Sequence, residues 1–283
     1  MTFTLNDKRT HFKRRTRILF FPFLILSIVI MMSSKAQANP PRHRIDLASA
    51  YTWVDVGDWQ MLTGSYAYQA PTFTSGLIGR ILRRESLPNA PADLSLQIPF
   101  FTSFKAFSIA CLAEWAPQPI FVPKYALQLS PKLNITSLKS ALHFTYRYAQ
   151  YAVASAQVLT PGVSWLAPQL GWGAGAFLYV TIPEFGQSLF TPQLRVEKYL
   201  NYFWRIEFWF TFGYETLNDR FVSADRQAPQ VSIYGQLKHL FNDYSGLNLG
   251  LSWIKFLPET EQMANERFNR DRLELSLRTF FRF

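Results

Sequence analysis

Apolar and polar residues alternate at every second position along most of this chain. The segment 204–214, for example, places Ile206 and Phe208 on one face and Arg205 and Glu207 on the other. Successive side chains of a β-strand point to opposite faces, so a half-apolar, half-charged strand needs a different environment on each side. The pattern therefore predicts β-strands whose two faces meet different surroundings.

The alternating segments predict an all-β chain of fourteen strands, with no amphipathic helix of useful length. The segment 153–166 has the weakest pattern because Pro161 and Gly162 interrupt it. Merging two weak pairs would leave twelve strands, and this alternative stays open. The fourteen predicted strands span 42–56, 59–70, 72–84, 92–101, 104–116, 121–130, 139–150, 153–166, 170–182, 188–199, 202–215, 229–240, 244–256 and 271–283.

The lengths of the connections favour a closed transmembrane barrel. Bacterial outer-membrane barrels have an even number of antiparallel strands, short periplasmic turns and longer outer loops. With fourteen strands, the long polar connections share one end, at 84–91, 215–230 and 256–271. The tight connections share the other end, at 70–71, 200–201 and 241–243. We therefore predict a closed antiparallel transmembrane β-barrel whose N- and C-termini are both periplasmic.

Aromatic residues support the same fold. They make up 17% of the chain, and many tryptophans and tyrosines lie near the ends of the predicted strands. Amphipathic rings favour the headgroup level of a bilayer. A soluble β-sandwich is the alternative, but it rarely presents such long strands with so many outward tryptophans.

The N-terminus predicts secretion. Basic residues are concentrated between Lys8 and Arg17, an apolar run covers 18–32, and a small-x-small site ends at Ala38. This is the organisation of a cleaved signal peptide. A retained anchor is less favoured, since a span wants roughly 20 apolar residues. A lipoprotein would need a cysteine as the first residue after the cleavage site, where this chain has Asn39. We expect cleavage after Ala38, with 39–283 forming the barrel.

Removing the signal peptide changes the charge of the chain. The formal net charge of +10 comes from 29 basic and 19 acidic residues, and 1–38 contain seven of the former and one of the latter. The mature chain therefore has 22 basic and 18 acidic residues, or +4, and a nucleic-acid partner loses its main support. Cys111 is the only cysteine, which excludes an intrachain disulfide and a multi-cysteine metal site. No cofactor is expected.

Charged residues on the polar faces are expected to line the lumen, because a charge facing lipid costs about 2–4 kcal/mol near the midplane. They either brace the wall as salt bridges or line a hydrated path with a slight preference for anions. Arg195, Glu197, Arg205 and Glu207 are ordered in a way that suits cross-strand ion pairs. The predicted inward set is Asp46, Arg80, Asp93, Glu114, Lys124, His143, Arg147, Arg195, Glu197, Arg205, Glu207, Lys238, Arg272, Glu274 and Arg278.

An enzyme is the less favoured interpretation. A phospholipase-type site needs His and Ser two positions apart on one strand and facing lipid. His143 and Thr145 have the spacing, but threonine replaces serine and the pair faces inward. No Gly-rich phosphate loop or HExxH motif is present. We therefore predict no catalytic residues.

The C-terminal strand resembles the final strand of bacterial outer-membrane barrels. Leu277, Phe281 and the terminal Phe283 lie on its apolar face. The resemblance implies that these residues form the signal read by the barrel-assembly machinery. The expected partners are that machinery and the lipid and lipopolysaccharide of the outer membrane.

Three stretches carry a wider resemblance, namely 129–148, 159–183 and 190–214 with its 196–200 turn. Their aromatic and hydrophobic pattern resembles the YaiO-type outer-membrane barrel family. The resemblance implies a barrel in the bacterial outer membrane and adds no catalytic residues.

Two functions follow as expectations. The first is a narrow or gated pore for small polar or anionic solutes, linked to envelope or exopolysaccharide traffic. The second is a non-conducting structural or adhesion barrel with a plugged lumen, whose outer loops 215–230 and 256–271 are the working surface. An outer-membrane lipid-modifying enzyme is a minor third alternative.

Overall fold

A computed structural model describes residues 42–54, 58–84, 92–120, 122–152, 154–185, 187–214, 229–257 and 271–283. The predicted signal peptide lies outside the described residues, as does most of the predicted outer loops 215–230 and 256–271. The described chain forms fourteen strands, as predicted, and a short 3-10 turn at Thr136–Leu138. The strands are β1 His43–Val54, β2 Trp59–Gln69, β3 Phe73–Arg84, β4 Asp93–Phe104, β5 Phe107–Trp115, β6 Tyr125–Ile135, β7 Ser140–Gln150, β8 Ser155–Ala167, β9 Trp172–Pro183, β10 Leu189–Tyr199, β11 Trp204–Tyr214, β12 Pro229–Asn242, β13 Ser245–Phe256 and β14 Arg272–Arg282.

The strands close into a single antiparallel barrel. Each strand pairs with its neighbours in sequence, and β1 pairs with β14 from Arg44 opposite Arg282 to Val54 opposite Arg272. Closure gives every strand two hydrogen-bonded neighbours and removes the exposed sheet edges that promote aggregation. The prediction of a closed fourteen-stranded barrel is therefore confirmed. Among the described residues, no helix is long and apolar enough to cross a membrane.

The distribution of side chains is the reverse of that in a soluble protein. Leu127 and Ile98 on the outer face are 61% and 57% exposed, whereas Ser95, Gln97 and Glu207 on the inner face are buried. An apolar outer surface and a polar interior suit a wall between lipid and water.

Prolines interrupt the hydrogen-bond ladder without ending the strands. The prediction that the sixth strand ends at residue 130 is wrong, because β6 continues through Pro131 to Ile135. The β6–β7 ladder lapses at Ser130 and Pro131, and the β8–β9 ladder lapses at Thr160 and Pro161. Proline has no N–H to donate, but its extended backbone still preserves the alternation of faces.

The two ends of the barrel differ in the length of their connections. We call the end that holds both termini of the described barrel the terminal end, and the opposite end the loop end. The terminal end carries the connections 70–72, 105–106, 136–139, 168–171, 200–203 and 243–244. The loop end carries the connections 55–58, 85–92, 116–124, 151–154, 184–188, 215–228 and 257–271.

Candidate functional site in the barrel lumen

The strand pairings place the predicted charged residues on the inner face. The exception is Lys124, which lies in the connection before β6 and is exposed, so its inward position stays a prediction. Among the residues whose side chains the structure describes, three further basic residues on the inner face were absent from the predicted set: Arg44, Lys132 and Arg282. Lys132 was missed because Pro131 hid the end of β6, although the alternation of Gln128, Ser130 and Lys132 continues across it.

Among the described residues, the largest ion-pair network joins β10, β11 and β12, and we call it the β10–β12 network. Glu207, whose side chain is 1% exposed, lies 2.8 Å from Nε of Arg195 and 2.7 Å from Nζ of Lys238. Glu197 lies 2.6 Å from Nη2 of Arg205. The network therefore contains three basic residues and two glutamates.

The register explains why arginines and glutamates alternate here. Glu197 and Glu207 are directly opposite each other on β10 and β11, and like charges in that position repel. Arg195 and Arg205 lie on the two diagonals, and each contacts both carboxylates at 2.6–3.0 Å. Trp209 Nε1 also donates to Glu207 Oε1 at 2.6 Å. Charge-assisted hydrogen bonds of this kind are stronger than neutral ones, so the network braces this part of the wall.

A second network, toward the loop end, joins Arg80, Glu114 and Arg147. Glu114 Oε2 lies 3.0 Å from Arg147 Nη2, and Glu114 Oε1 lies 3.9 Å from Arg80 Nη1. One buried carboxylate therefore stands between two guanidinium groups.

A third network, at the barrel seam, joins Arg44, Asp46 and Arg278. Asp46 Oδ1 lies 2.6 Å from Arg44 and 3.0 Å from Arg278, and Ser65 donates to Oδ2 at 3.3 Å. Basic groups again outnumber the acid, so all three networks carry a net positive charge.

Glu274 and Arg272 lie near the loop end of β14. Thr52 Oγ1 donates to Glu274 at 3.1 Å, and the Arg272 guanidinium lies 4.4 Å from the ring centre of Trp59. Glu274 thus reaches β1, and Arg272 reaches across β1 to β2, along the inner wall.

Asp93 holds a connection at the loop end. Its two carboxylate oxygens accept hydrogen bonds from the backbone N–H groups of Ile120, at 2.8 Å, and Val122, at 3.0 Å. Asp93 and Val122 are both buried. The connection between β5 and β6 is therefore fastened to an inward-facing side chain rather than projecting from the barrel.

A recess of about 510 Å³ opens in the inner wall at the terminal end. We call it the terminal recess. It lies between the ends of β6, β7 and β8 on one side and β9, β10 and β11 on the other. Its lining includes Lys132, His143, Ser164, Phe177, Arg195 and Tyr199.

His143 forms a cross-strand pair that the alternating pattern did not predict. Its Nε2 lies 2.7 Å from Ser164 Oγ on β8, whereas Thr145, the residue considered earlier, donates to Ser130 at 3.0 Å. A hydrolytic triad would need a carboxylate on the second imidazole nitrogen. Within the described part of the chain, no carboxylate is bonded to His143.

The three residues of the predicted assembly signal differ in exposure. Leu277 and Phe281 are 4% and 6% exposed, whereas the terminal Phe283 is 49% exposed. Their role in assembly stays a prediction.

Comparisons with known proteins identify the fold. No family model matches the chain, and no curated protein is similar to it, so the resemblance to the YaiO-type family stays a prediction. The monoaromatic hydrocarbon channel CymD superposes with a TM-score of 0.57 at 10% identity, covering 87% of this chain and 89% of that one. A bacterial polysaccharide outer membrane secretin gives 0.53 at 9%, covering 87% and 100%.

The outer membrane protein Omp33 of Acinetobacter baumannii also superposes, with a TM-score of 0.50 at 8% identity, covering 85% of this chain and 98% of that one. Identities this low establish similarity of fold. The chain thus has the architecture of outer-membrane β-barrel channels.

Proposed function

We propose that this protein is an integral outer-membrane pore that passes small polar solutes and favours anions. The observation that carries the proposal is the surplus of basic groups on the inner wall. Among the strand residues whose side chains the structure describes, the inward basic ones are Arg44, Arg80, Lys132, Arg147, Arg195, Arg205, Lys238, Arg272, Arg278 and Arg282. The inward acidic side chains are Asp46, Asp93, Glu114, Glu197, Glu207 and Glu274.

The excess of basic over acidic side chains on the inner wall is the reason for expecting a preference for anions. Each of the three networks retains an uncompensated cation, and a low-dielectric wall focuses that charge into the lumen. Fixed positive charge in a confined aqueous path raises the local concentration of anions. Because carboxylates are interleaved with the cations, we expect a modest preference for anions rather than exclusion of cations.

The finer assignments are part of the proposal. Location in the outer membrane and a link to exopolysaccharide traffic both agree with the fold shared with the polysaccharide secretin. The aromatic hydrocarbons named for CymD suit this chain less well, since its inner wall is polar and charged.

A plugged structural barrel is the second candidate, and two observations favour it. Ion pairs occupy much of the inner wall, and Asp93 fastens the β5–β6 connection to the inner face. The width of the barrel favours the pore instead. Side chains alone can fill a barrel of eight strands, whereas fourteen strands leave more room.

Single-channel recording of the purified barrel in planar bilayers separates the two candidates. The pore predicts discrete conductance steps and a reversal potential displaced toward the chloride equilibrium potential across a KCl gradient. Absence of conductance at any voltage would favour the plugged barrel. Conductance with a clear cation preference would contradict the assignment of the inner-wall charges.

A further inference from the structure

The terminal recess owes its depth to glycines. Gly162 and Gly173 face inward on β8 and β9, opposite Phe177 and Glu197. A Cβ on Gly162 would lie 2.2 Å from Phe177 Cδ1, and a Cβ on Gly173 would lie 2.6 Å from Glu197 Oε1. The phenyl ring and the carboxylate side chain therefore lie flat along the wall, which keeps the space in front of them open.

Two lysines that line the recess, Lys132 and Lys139, have no carboxylate partner among the described residues. Arg195 and Arg205 are held by Glu197 and Glu207, so their guanidinium groups are largely occupied. Lys132 stands directly across the β6–β7 ladder from His143, and within the described ranges no carboxylate lies in ion-pair range of its ammonium group. Lys139 lies in the exposed 136–139 connection, so Lys132 is the free charge that lies beside His143.

The surroundings of Lys132 combine polar and aromatic groups. His143 and Ser164 form a hydrogen-bonded pair beside it, and the Phe177 ring lies edge-on to the imidazole with ring centres 5.4 Å apart. Tyr199 lines the opposite side and donates to Glu197 at 3.3 Å. Hydroxyl and imidazole groups suit a hydroxylated ligand, and aromatic rings suit the C–H face of a sugar.

We propose that the terminal recess binds a small hydroxylated monocarboxylate, a sugar acid. Lys132 holds the carboxylate, His143 and Ser164 bond its hydroxyl groups, and Phe177 contacts its apolar face. The inference deepens the proposed pore and rests on it, because the recess then becomes a binding station for the anions that pass.

The charges and the aromatic ring of the recess together select this class of ligand. The ammonium group of Lys132 can neutralise one carboxylate beside His143 and Ser164, whereas inorganic phosphate has no C–H face for the Phe177 ring to contact. A neutral sugar would leave Lys132 without a counter-charge. The volume of about 510 Å³ lies within the range of roughly 300–1,000 Å³ typical of small-molecule sites.

Isothermal titration of the detergent-solubilised mature barrel with glucuronate tests the site without requiring conduction. We expect saturable binding, weaker binding of glucose and weaker binding of inorganic phosphate. The substitution Lys132→Gln should lower the affinity for glucuronate about tenfold, the scale of a lost charge-assisted hydrogen bond. Lys132→Arg should retain most of it. Lys124→Gln, before the other end of the same strand, is the matched control and should change nothing.

A second pair of variants tests the shape of the recess without altering its charge. Gly162→Ala should push the Phe177 ring into the recess and weaken binding. The control is Gly64→Ala, where the nearest atom, in the Leu47 side chain, lies 3.9 Å from the new Cβ and the residue faces outward. Heat-modifiable gel migration shows that each variant is folded.

The outcomes separate this inference from the proposed pore. Glucose binding as tightly as glucuronate, phosphate binding more tightly, or full affinity in folded Lys132→Gln would each overturn the site. Glucuronate binding by a barrel that never conducts would support the site and defeat the pore. Conductance without glucuronate binding would support the pore and defeat the site.

Discussion

The first residue of β1, His43, and the last residue of the chain, Phe283, lie against each other at the seam of the barrel. Their rings stack with centres 5.4 Å apart and an angle of 17° between planes. Their backbones exchange two hydrogen bonds, of 3.0 and 2.9 Å. The terminal phenylalanine therefore extends the closing β1–β14 ladder by one residue pair, in addition to any role as a signal for assembly.

Because Phe283 completes the seam, we expect Phe283→Ala to lower the yield of folded barrel and to leave secretion intact. Loss of the ring removes the stack on His43 and the terminal aromatic that the assembly machinery is expected to read. The measurement is the folded fraction in outer-membrane preparations, from heat-modifiable migration. Phe104→Ala serves as control, since Phe104 is an exposed aromatic on the outer face at the same end of the barrel. Equal losses in both variants would show that Phe283 has no special role.

Removing the buried acid of the β10–β12 network should destabilise the barrel. Glu207→Gln leaves Arg195, Arg205 and Lys238 facing one another without their shared carboxylate, and breaking a buried ion pair costs about 3 kcal/mol. Urea unfolding in lipid vesicles measures the change. The exposed Glu184, which accepts one backbone hydrogen bond at the loop end, gives the matched control Glu184→Gln with a loss below about 1 kcal/mol. A loss at Glu207 no larger than at Glu184 would contradict the bracing role.

Ion selectivity should follow the charge of the same network. The double variant Arg195→Gln with Arg205→Gln removes two basic side chains and leaves Glu197 and Glu207. The reversal potential across a KCl gradient should therefore move toward the potassium equilibrium potential. Glu197→Gln with Glu207→Gln should move it the opposite way. Added salt should reduce both shifts as the Debye length falls to about 3 Å near 1 M. Shifts of the same sign in the two double variants would exclude a simple electrostatic cause.

Releasing the β5–β6 connection should expose it. Asp93→Ala removes both acceptors that hold Ile120 and Val122, so trypsin should cut after Lys124 several times faster in folded protein. If the connection narrows the loop end, single-channel conductance should also rise. Asp243→Ala, which removes the acceptor of Tyr202 at the terminal end, is the control and should not affect cleavage at Lys124. An unchanged cleavage rate would show that Asp93 does not hold the connection.

Local pattern was enough to predict the wall of this protein. The period of two is a property of each strand by itself, and a wrong assignment would place charges in lipid. Strand count, the faces of β11 and β14 and the inward position of Glu207 could therefore be predicted from sequence. Pro131 interrupts the hydrogen-bond ladder without ending β6, so the alternating pattern predicted the end of the strand too early. Lys132 was missed for that reason.

Which inward side chains meet was decided by tertiary structure. Glu207 contacts Arg195 and Lys238 because the register of β11 against both neighbours brings them together across the barrel wall. Likewise, His143 reaches Ser164, and Asp93 reaches Ile120, through pairings and a connection whose geometry no periodic pattern encodes. Alternation specifies the face on which a side chain lies, whereas its partner depends on the relative shift of strands that are distant in sequence.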